Sequence, residues 1–462
     1  MTWESVIGLE VHARLLTQSK MFCACSTAFG APPNTHVCPV CLAYPGALPV
    51  MNRRALELGM RMAIATDSQI QPSSQFARKN YFYPDQPKGY QISQFERPLA
   101  IGGSVTIGAN TVRLIRIHLE EDAGKLVHEQ ARSLVDLNRS GTPLIEIVSE
   151  PDIRSAADAS AYFARLRQIL MYAGVCDGNM EEGSLRCDAN VSMRRAGEPL
   201  GTRVEIKNLN SFRFLKIAIE YEIARQMALI ESGGKVVQET RLFDANRNET
   251  RPMRTKEEAH DYRYFPDPDL LEVEIEPQWI EDVRRAVPEL PRARSARYQR
   301  DFGLSEVDAE ILVVSLELAE YFEETARLSG NAKAASNWIR NEVLRVGQER
   351  ISAAALARLI QLIDSGAIGG KVAKEVFEEI SVNGGDPERI IETKGLAQVS
   401  DRGAIREAAE RVISRNAALV EQYRGGKAQI FGFLVGQLMK EMRGKANAEV
   451  ANVVMRELLD AR

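Results

Sequence analysis

Apolar residues form short strand-like runs in the first 290 residues, some alternating with polar positions and some nearly continuous: Val6 to Val11, Val112 to Leu119, Leu144 to Val148, Ala189 to Met193 and Arg203 to Ile206. A period of two is the pattern of a strand. Between these runs, apolar positions recur every three or four residues near Arg53 to Thr66, Ser155 to Ala173 and Phe212 to Ser232, which predicts helices. Both patterns stop at Val287 to Arg294, where Pro288 and Pro291 mark a hinge. Beyond it strand signals fade and helical spacing dominates, as in Leu312, Leu316, Ala319, Tyr321 and Phe322. A Gly and Asn/Asp cluster from Asn383 to Pro387 precedes a further break at Ser400 to Gly403. After that break Ala404 to Tyr423, Gln429 to Met442 and Ala448 to Leu459 predict three helices of a small bundle. The expected fold is α+β, with a mixed domain over residues 1–290, a helical domain over 291–400 and a helical tail over 401–462.

Composition narrows this picture. With 45% hydrophobic and 26% charged residues in a chain of 462, sizeable cores are expected. No apolar stretch reaches the roughly 20 residues that cross a bilayer. The net charge of -4 argues against a wholesale polyanion binder and leaves room for a basic face. Residues 401–462 hold 11 Lys or Arg against 8 Asp or Glu, a modest local excess.

Cysteines change the picture more. Cys23 and Cys25 form CxC, and after twelve residues Cys38 and Cys41 form CxxC. Paired thiolates at these spacings suit a tetrahedral zinc ion in a loop over residues 22–42. Two disulfides or free thiols are the alternatives. The N-terminus lacks a basic segment followed by an apolar one, and six cysteines are few for this length, so a reducing cytoplasm is expected. Cys176 and Cys187 lack a paired spacing and read as core thiols, and His36 as a loop residue.

Acids stand where a core is expected. Glu10 lies within Ile7-Gly8-Leu9-Glu10-Val11 and Glu146 within Leu144-Ile145-Glu146-Ile147-Val148. Strand alternation puts Glu10 and His12 on one face. It lines Glu121 up with Ile115, Ile117 and Leu119, facing inward, with Glu120 and Asp122 turned away. A carboxylate in an apolar run needs a cation or an ion pair, here a metal site or salt bridges to Arg116, Arg139 or Arg186. Carboxylates with one imidazole suit Mg²⁺ or Mn²⁺ beside phosphate oxygens. Arg78, Lys79 and Lys88 bracket the loop Asn80 to Asp85, which reads either as a cover over a nucleotide or as a hairpin with solvated lysines. Arg186, Asp188 and Asn190 form one polar stripe and Arg203, Glu205 and Lys207 another, flooring a pocket or carrying exposed ion pairs. No GxxxxGK[ST], strand-linked GxGxxG or GxSxG is present, so P-loop, dinucleotide and serine-hydrolase chemistry are unsupported.

Eight segments together resemble the B subunits of bacterial aspartyl/glutamyl-tRNA amidotransferases. They are IGLEVHARLLT at the start, RKNYFYPDQPKGYQISQ at 78–94, HLEEDAGK at 118–125, DLNRSGTPLIEIVSEPDIRS at 136–155, MEEGSLRCDANVS at 180–192, EIKNLNSF at 205–212, DYRYFPDPDL at 261–270 and FGFLVGQLMKEMRGKAN at 431–447. The resemblance implies a catalytic cradle with a glutamine-synthetase-like sheet, a helical domain and a tRNA-engaging tail. It implies a ligase activity in which ATP and Mg²⁺ phosphorylate the side chain of Glu or Asp mischarged on tRNA-Gln or tRNA-Asn. Ammonia from a glutaminase A subunit then gives the amide, in a heterotrimer strapped by a small C subunit. By the same resemblance His12, Glu121 and Glu146 hold Mg²⁺, with Glu10 adjacent. Asp188, Arg186, Lys79 and Lys88 surround nucleotide and acyl phosphate, and Cys23, Cys25, Cys38 and Cys41 hold a structural Zn²⁺. The alternative is a zinc-containing tRNA-binding or structural protein without kinase chemistry. That reading leaves the acids among apolar neighbours unexplained.

Overall fold

The computed structural model describes residues 2–130, 132–255, 262–396, 401–442 and 445–461. The chain divides into two compact units, Met1–Pro291 and Arg292–Arg462. No helix among the described residues is long and apolar enough to cross a membrane.

A ten-stranded mixed sheet organises the first unit. Its principal strands are β1 (Trp3–Arg14), β2 (Asn110–Glu121), β3 (Pro143–Ser149), β4 (Leu185–Arg195), β5 (Val204–Leu209), β6 (Glu239–Asp244) and β7 (Glu249–Thr255). They lie in the order β7-β6-β5-β4-β1-β3-β2, continued by the short strands Ala100–Ile101 and Gln69–Ile70, while Ser104–Ile107 pairs with β2 off this path. β5 and β6 are parallel, and the other principal neighbours antiparallel.

The period-two pattern decides which face is which. Ile7, Leu9, Val11 and Ala13 of β1 are fully buried, in one core with Ile117, Leu119, Ile145, Ile147, Ala189, Val191 and Ile206. Helices α1 (Arg53–Ala65), α2 (Ala156–Tyr172) and α3 (Phe212–Glu231) supply Leu56, Leu58, Phe163, Leu166, Leu215 and Ile219 to it. Each such aliphatic contributes roughly 1.5–3 kcal/mol on burial. A register slip of one residue would exchange the faces, so this core also dictates where Glu10 and His12 point. Side chains of Asn52, Ser155 and Ser211 cap the three helices by accepting from their first free N–H groups.

A hairpin, Ala77–Asn80 paired with Tyr90–Ser93, meets the C-terminal end of β2, where Ser93 reaches Glu120 and the Ile92 N–H donates to Glu121, and Phe265–Pro266 adds a third strand to it. Asn80 donates from its side chain to the carbonyls of Tyr262 and Arg263 (3.1 and 2.9 Å). Arg78 bonds Asp267 and Asp269 (3.0 and 2.8 Å). The described part of the 261–270 motif therefore holds the hairpin in place. Asp261 lies outside the described residues.

The second unit is helical, with two separate apolar clusters. One gathers Tyr298, Phe322, Ile339, Leu356, Ile360 and Phe377, the other Ile405, Val412, Leu434, Leu438, Val454 and Met455. The helix expected from Ala404 to Tyr423 is two helices, Arg402–Arg415 and Ala417–Arg424. Asn416 separates them, and its side-chain amide donates to the Val412 carbonyl (2.8 Å), a local bond that competes with helix continuation. Ser400, Arg443 and Gly444 lie outside the described residues.

Candidate active site

On the sheet face turned away from the helices, register lines polar side chains up across strands. His12 stands opposite Glu146 on β3 and Arg186 on β4, Glu146 opposite His118 on β2, and Glu10 opposite Asp188. His12 Nε2 is 3.5 Å from Glu146 and 3.7 Å from Glu120. One ligand atom from each of His12, Glu120 and Glu146 falls within 4.8 Å of the others. His118 Nε2 adds a contact of 3.2 Å to Glu146. Burial acts to lower both imidazoles, but the Glu146 charge prevails and raises them, His118 to about 9. In Glu146 burial acts upward, and the two imidazoles overcome it to hold the carboxyl well below its ordinary range. His12 Nδ1 is buried without a hydrogen-bond partner. Two carboxylates and an imidazole, converging and largely dry, match the donor set a small hard divalent cation takes.

Glu121 does not join them. The alternation lined it up with Ile115, Ile117 and Leu119; Ile117 and Leu119 do lie in the core, away from the site, but Ile115, at a register shift in the pairing with β3, is 39% exposed. The Glu121 carboxylate accepts from the Ile92 N–H (3.1 Å) and pairs with Lys88. Glu120 stands with His12 and Glu146 instead; it is only 3% exposed, with Ser93 of the hairpin 3.4 Å from its carboxylate. Sequence reasoning equated buried with core-facing, whereas at residues 118–121 both faces of β2 are buried. Glu10 lies next to the cluster and accepts from Asn190 (2.8 Å), its carboxyl raised by burial and then by the charges of Glu146, Glu205 and Asp188. Asp188 pairs with Lys207 (2.6 Å), which also reaches Glu205 (3.1 Å), so the two polar stripes meet.

The expected cations separate. Lys79 enters the acid cluster from the hairpin, its ammonium 4.8 Å from the Tyr262 ring centroid. Burial disfavours its charge, but Tyr264, Glu120 and Glu146 outweigh that, so it stays an ammonium. Arg186 is bound by both oxygens of Asp122 (3.1 and 3.2 Å), beside a cavity of about 690 Å³ lined also by Arg14, Lys125, Arg139 and Asp188. Lys88 lines another cavity, of about 420 Å³, with Glu121, Arg78 and Cys41. His118 and the tyrosines Tyr262 and Tyr264 were missed. His118 shares the parity of Glu120, a signal that the alternation did contain.

Cys23, Cys25, Cys38 and Cys41 bring their sulfurs within 4.8 Å of one another. All six cysteines are free thiols, and Cys176 and Cys187 are buried in the core. The Cys38 N–H points at Cys41 Sγ (3.1 Å). The loop is fastened by Asn34, which accepts from Leu137 N (2.8 Å), and by Asn138, which accepts from the His36 N–H (2.8 Å). Four thiols without disulfides form a donor set for zinc.

Residues 5–281 match the GatB/GatE catalytic domain and residues 320–459 match the GatB domain. Similar proteins include the B subunit of the aspartyl/glutamyl-tRNA(Asn/Gln) amidotransferase of Trichlorobacter lovleyi, 56% identical over 99% of this chain and all of the relative. The protein of the same name from Geobacter sulfurreducens is 54% identical over 99% of this chain and 100% of its own. That from Prosthecochloris aestuarii is 54% identical over 100% and 98%.

Proposed function

The chain belongs to the GatB/GatE catalytic family, and we propose that it works as the B subunit of a tRNA-dependent amidotransferase, an ATP-consuming, glutamine-hydrolysing ligase. Its substrates on this reading are Glu and Asp mischarged on tRNA(Gln) and tRNA(Asn), the pairs carried in the relatives' names. The observation behind the reading is the convergence of His12, Glu120 and Glu146 beneath Lys79. A tRNA-binding or structural protein without kinase chemistry leaves that costly cluster without a purpose.

A carboxylate resists ammonia because the group to be expelled is an oxide. The side-chain oxygen therefore attacks the γ-phosphorus of ATP, the bond to the bridging oxygen breaks, and ADP leaves. Ammonia attacks the acyl carbon of the resulting acyl phosphate, inorganic phosphate departs, and a proton passes to solvent. A Mg²⁺ ion, for which His12, Glu120 and Glu146 fit as ligands, supplies charge neutralisation at the transferring phosphoryl group. Lys79 adds a fixed positive charge there, and Asn190 orients Glu10 beside it. Arg186, held by Asp122 with Arg139 nearby, lines the 690 Å³ cleft with Arg14 and Lys125 and with the acids Asp136, Glu181, Glu182 and Asp188, and the nucleotide phosphates are assigned to its basic side. Asp188 and Glu205 hold Lys207 at the border of cleft and cluster. Lys88, engaged by Glu121, has no place at the phosphates in this scheme.

The cysteines are assigned a structural zinc, and the assembly a heterotrimer with a glutaminase A subunit and a small C subunit in the cytoplasm. Residues 401–462, which have an apolar cluster of their own, are assigned tRNA binding through basic residues including Lys440 and Lys445. The deciding experiment measures ATP cleavage by the assembled enzyme with and without mischarged tRNA. The wild type is expected to cleave ATP only with it. Near wild-type cleavage in any two of His12→Ala, Glu120→Ala and Glu146→Ala would refute the site. A chain ending near residue 400 that still shifts mischarged tRNA as tightly as the full-length protein would refute the tail's role.

A further inference from the structure

Lys20 stands just before the cysteine loop and is fully buried, at 0% exposure. Its ammonium has two neighbours, Cys41 Sγ at 3.6 Å and the Leu137 carbonyl at 3.3 Å. Among the described residues no carboxylate pairs with it. The two acids lining the same cavity, Glu121 and Asp269, are engaged by Lys88 and Arg78. An ammonium without a counter-charge is heavily penalised in a dry interior, and lysine is seldom fully buried unless paired. Among the described residues Cys41 Sγ is the one ionisable atom within bonding distance of the ammonium. A divalent ion bound by four thiolates leaves two net negative charges on the cluster, and neutral thiols leave none.

We propose that Lys20 is the charge-compensating residue of the metal-loaded cysteine cluster, donating an N–H···S hydrogen bond to Cys41 and a second bond to Leu137. This rests on the zinc reading of the four cysteines and says what holds the ion in place. Two donors converge on one sulfur, the Lys20 ammonium and the Cys38 N–H. Cys41, itself buried, is thereby the sulfur least able to leave the metal or react. The backbone binds the same parts together: Lys20 N–H donates to the Cys25 carbonyl (3.0 Å) and Met21 N–H to Gly141 (2.8 Å). Leu137 and Gly141 flank Arg139, whose guanidinium approaches Asp122 at the cleft. Lys20 is a positioning residue and touches no substrate.

Transfer of zinc from the full-length chain to a chromogenic chelator tests this, in the wild type and in Lys20→Met, Lys20→Gln and Lys20→Arg. Loss of an outer partner of a metal ligand costs about 10–100-fold in affinity, so Met and Gln variants are expected to release zinc faster by a factor of that order. Arg, which keeps charge and donors, is expected to stay near wild type. Release at the wild-type rate from Lys20→Met and Lys20→Gln overturns the proposal, even if both melt earlier, since that pattern marks a bond to Leu137 alone. Should the variants not fold, alkylation of the zinc-loaded wild type decides: Cys41 is expected to label last, and labelling as early as Cys23 or Cys25 overturns the proposal. A wild-type chain purified without zinc refutes the zinc reading itself, a result distinct from unchanged release.

Discussion

The acid–imidazole cluster and the cysteine cluster lie in the same unit, and each brings its donor atoms within 4.8 Å of one another, yet they are built in opposite ways. His12, Glu120 and Glu146 come from three adjacent strands whose other face is the apolar core, Glu146 from the middle of β3 and His12 and Glu120 from near the C-terminal ends of β1 and β2. The cysteines come from irregular chain between β1 and α1, fastened by side-chain amides of Asn34 and Asn138. On the function proposed above, the fold places the donors of the first cluster and a bound Mg²⁺ would take part in the chemistry. In the second, the binding energy of a zinc ion would also be folding energy for the loop. Hard oxygen donors on rigid strands and soft sulfur donors on a loop are thus matched to different tasks.

The comparison breaks if the strand-held cluster turns out to be structural. His12→Ala or Glu146→Ala is expected to lower ATP-dependent phosphorylation by a hundredfold or more, a loss of about 2.7 kcal/mol in transition-state stabilisation. The melting temperature should stay within a few degrees of wild type, because the core face of β1 and β3 is untouched. A collapse of the fold with intact chemistry per folded molecule would reverse the assignment. The neighbours Glu120 and Glu121 sharpen it. Glu120→Gln is expected to remove most activity and weaken Mg²⁺ binding measured by calorimetry. Glu121→Gln keeps an acceptor for the Ile92 N–H and should leave Mg²⁺ affinity unchanged.

That pair also shows how far the sequence was legible. Alternation identified five strands of the sheet but not β6 or β7, and it placed Glu10 and His12 on one face; that Glu146 shares this face follows from the register of β1 with β3. The resemblance supplied what alternation alone did not, an activity and its substrates. Glu121 was expected at the metal from the resemblance and facing inward from the alternation, whereas Glu120 is the residue that stands beside His12 and Glu146. Here the acids of the polar face are buried as well, against a hairpin from residues 77–93 whose third strand comes from Phe265–Pro266. Nothing local at residues 118–122 reports those neighbours. The break at Asn416 was missed for a smaller reason, since apolar spacing runs straight through a residue whose side-chain amide bonds back to Val412.

On the loop side, replacing both Cys38 and Cys41 by Ser is expected to abolish zinc in metal analysis and to lower thermal stability by several degrees. Serine matches thiol in shape, but its hydroxyl stays protonated and binds zinc poorly, so the lost energy is that of the metal-closed loop. ATP affinity of the variant should fall less than its stability, because His12, Glu120 and Glu146 sit on strands. A variant that keeps its melting temperature after losing zinc would remove the contrast between the clusters.

The smallest expected effect tests where loop and framework join. Asn52 accepts from the Arg54 and Ala55 N–H groups (2.9 and 3.3 Å), capping α1, and its amide donates to the carbonyls of Ser19 and Lys20 (3.0 and 3.2 Å). One side chain therefore closes the exit of the cysteine loop onto its entrance. Asn52→Ala removes the cap, worth about 1 kcal/mol, and leaves the two carbonyls to find other partners. A shift of roughly 2–4 °C per kcal/mol applies to domains of this size, so a drop of a few degrees should appear in calorimetry. Asn52→Asp is the discriminating partner, since it retains the cap acceptor and loses the donor. If the aspartate variant melts with wild type while releasing zinc faster, the cap stabilises the helix and the amide holds the loop. Equal losses in both variants would mean that the two ends are one cooperative element.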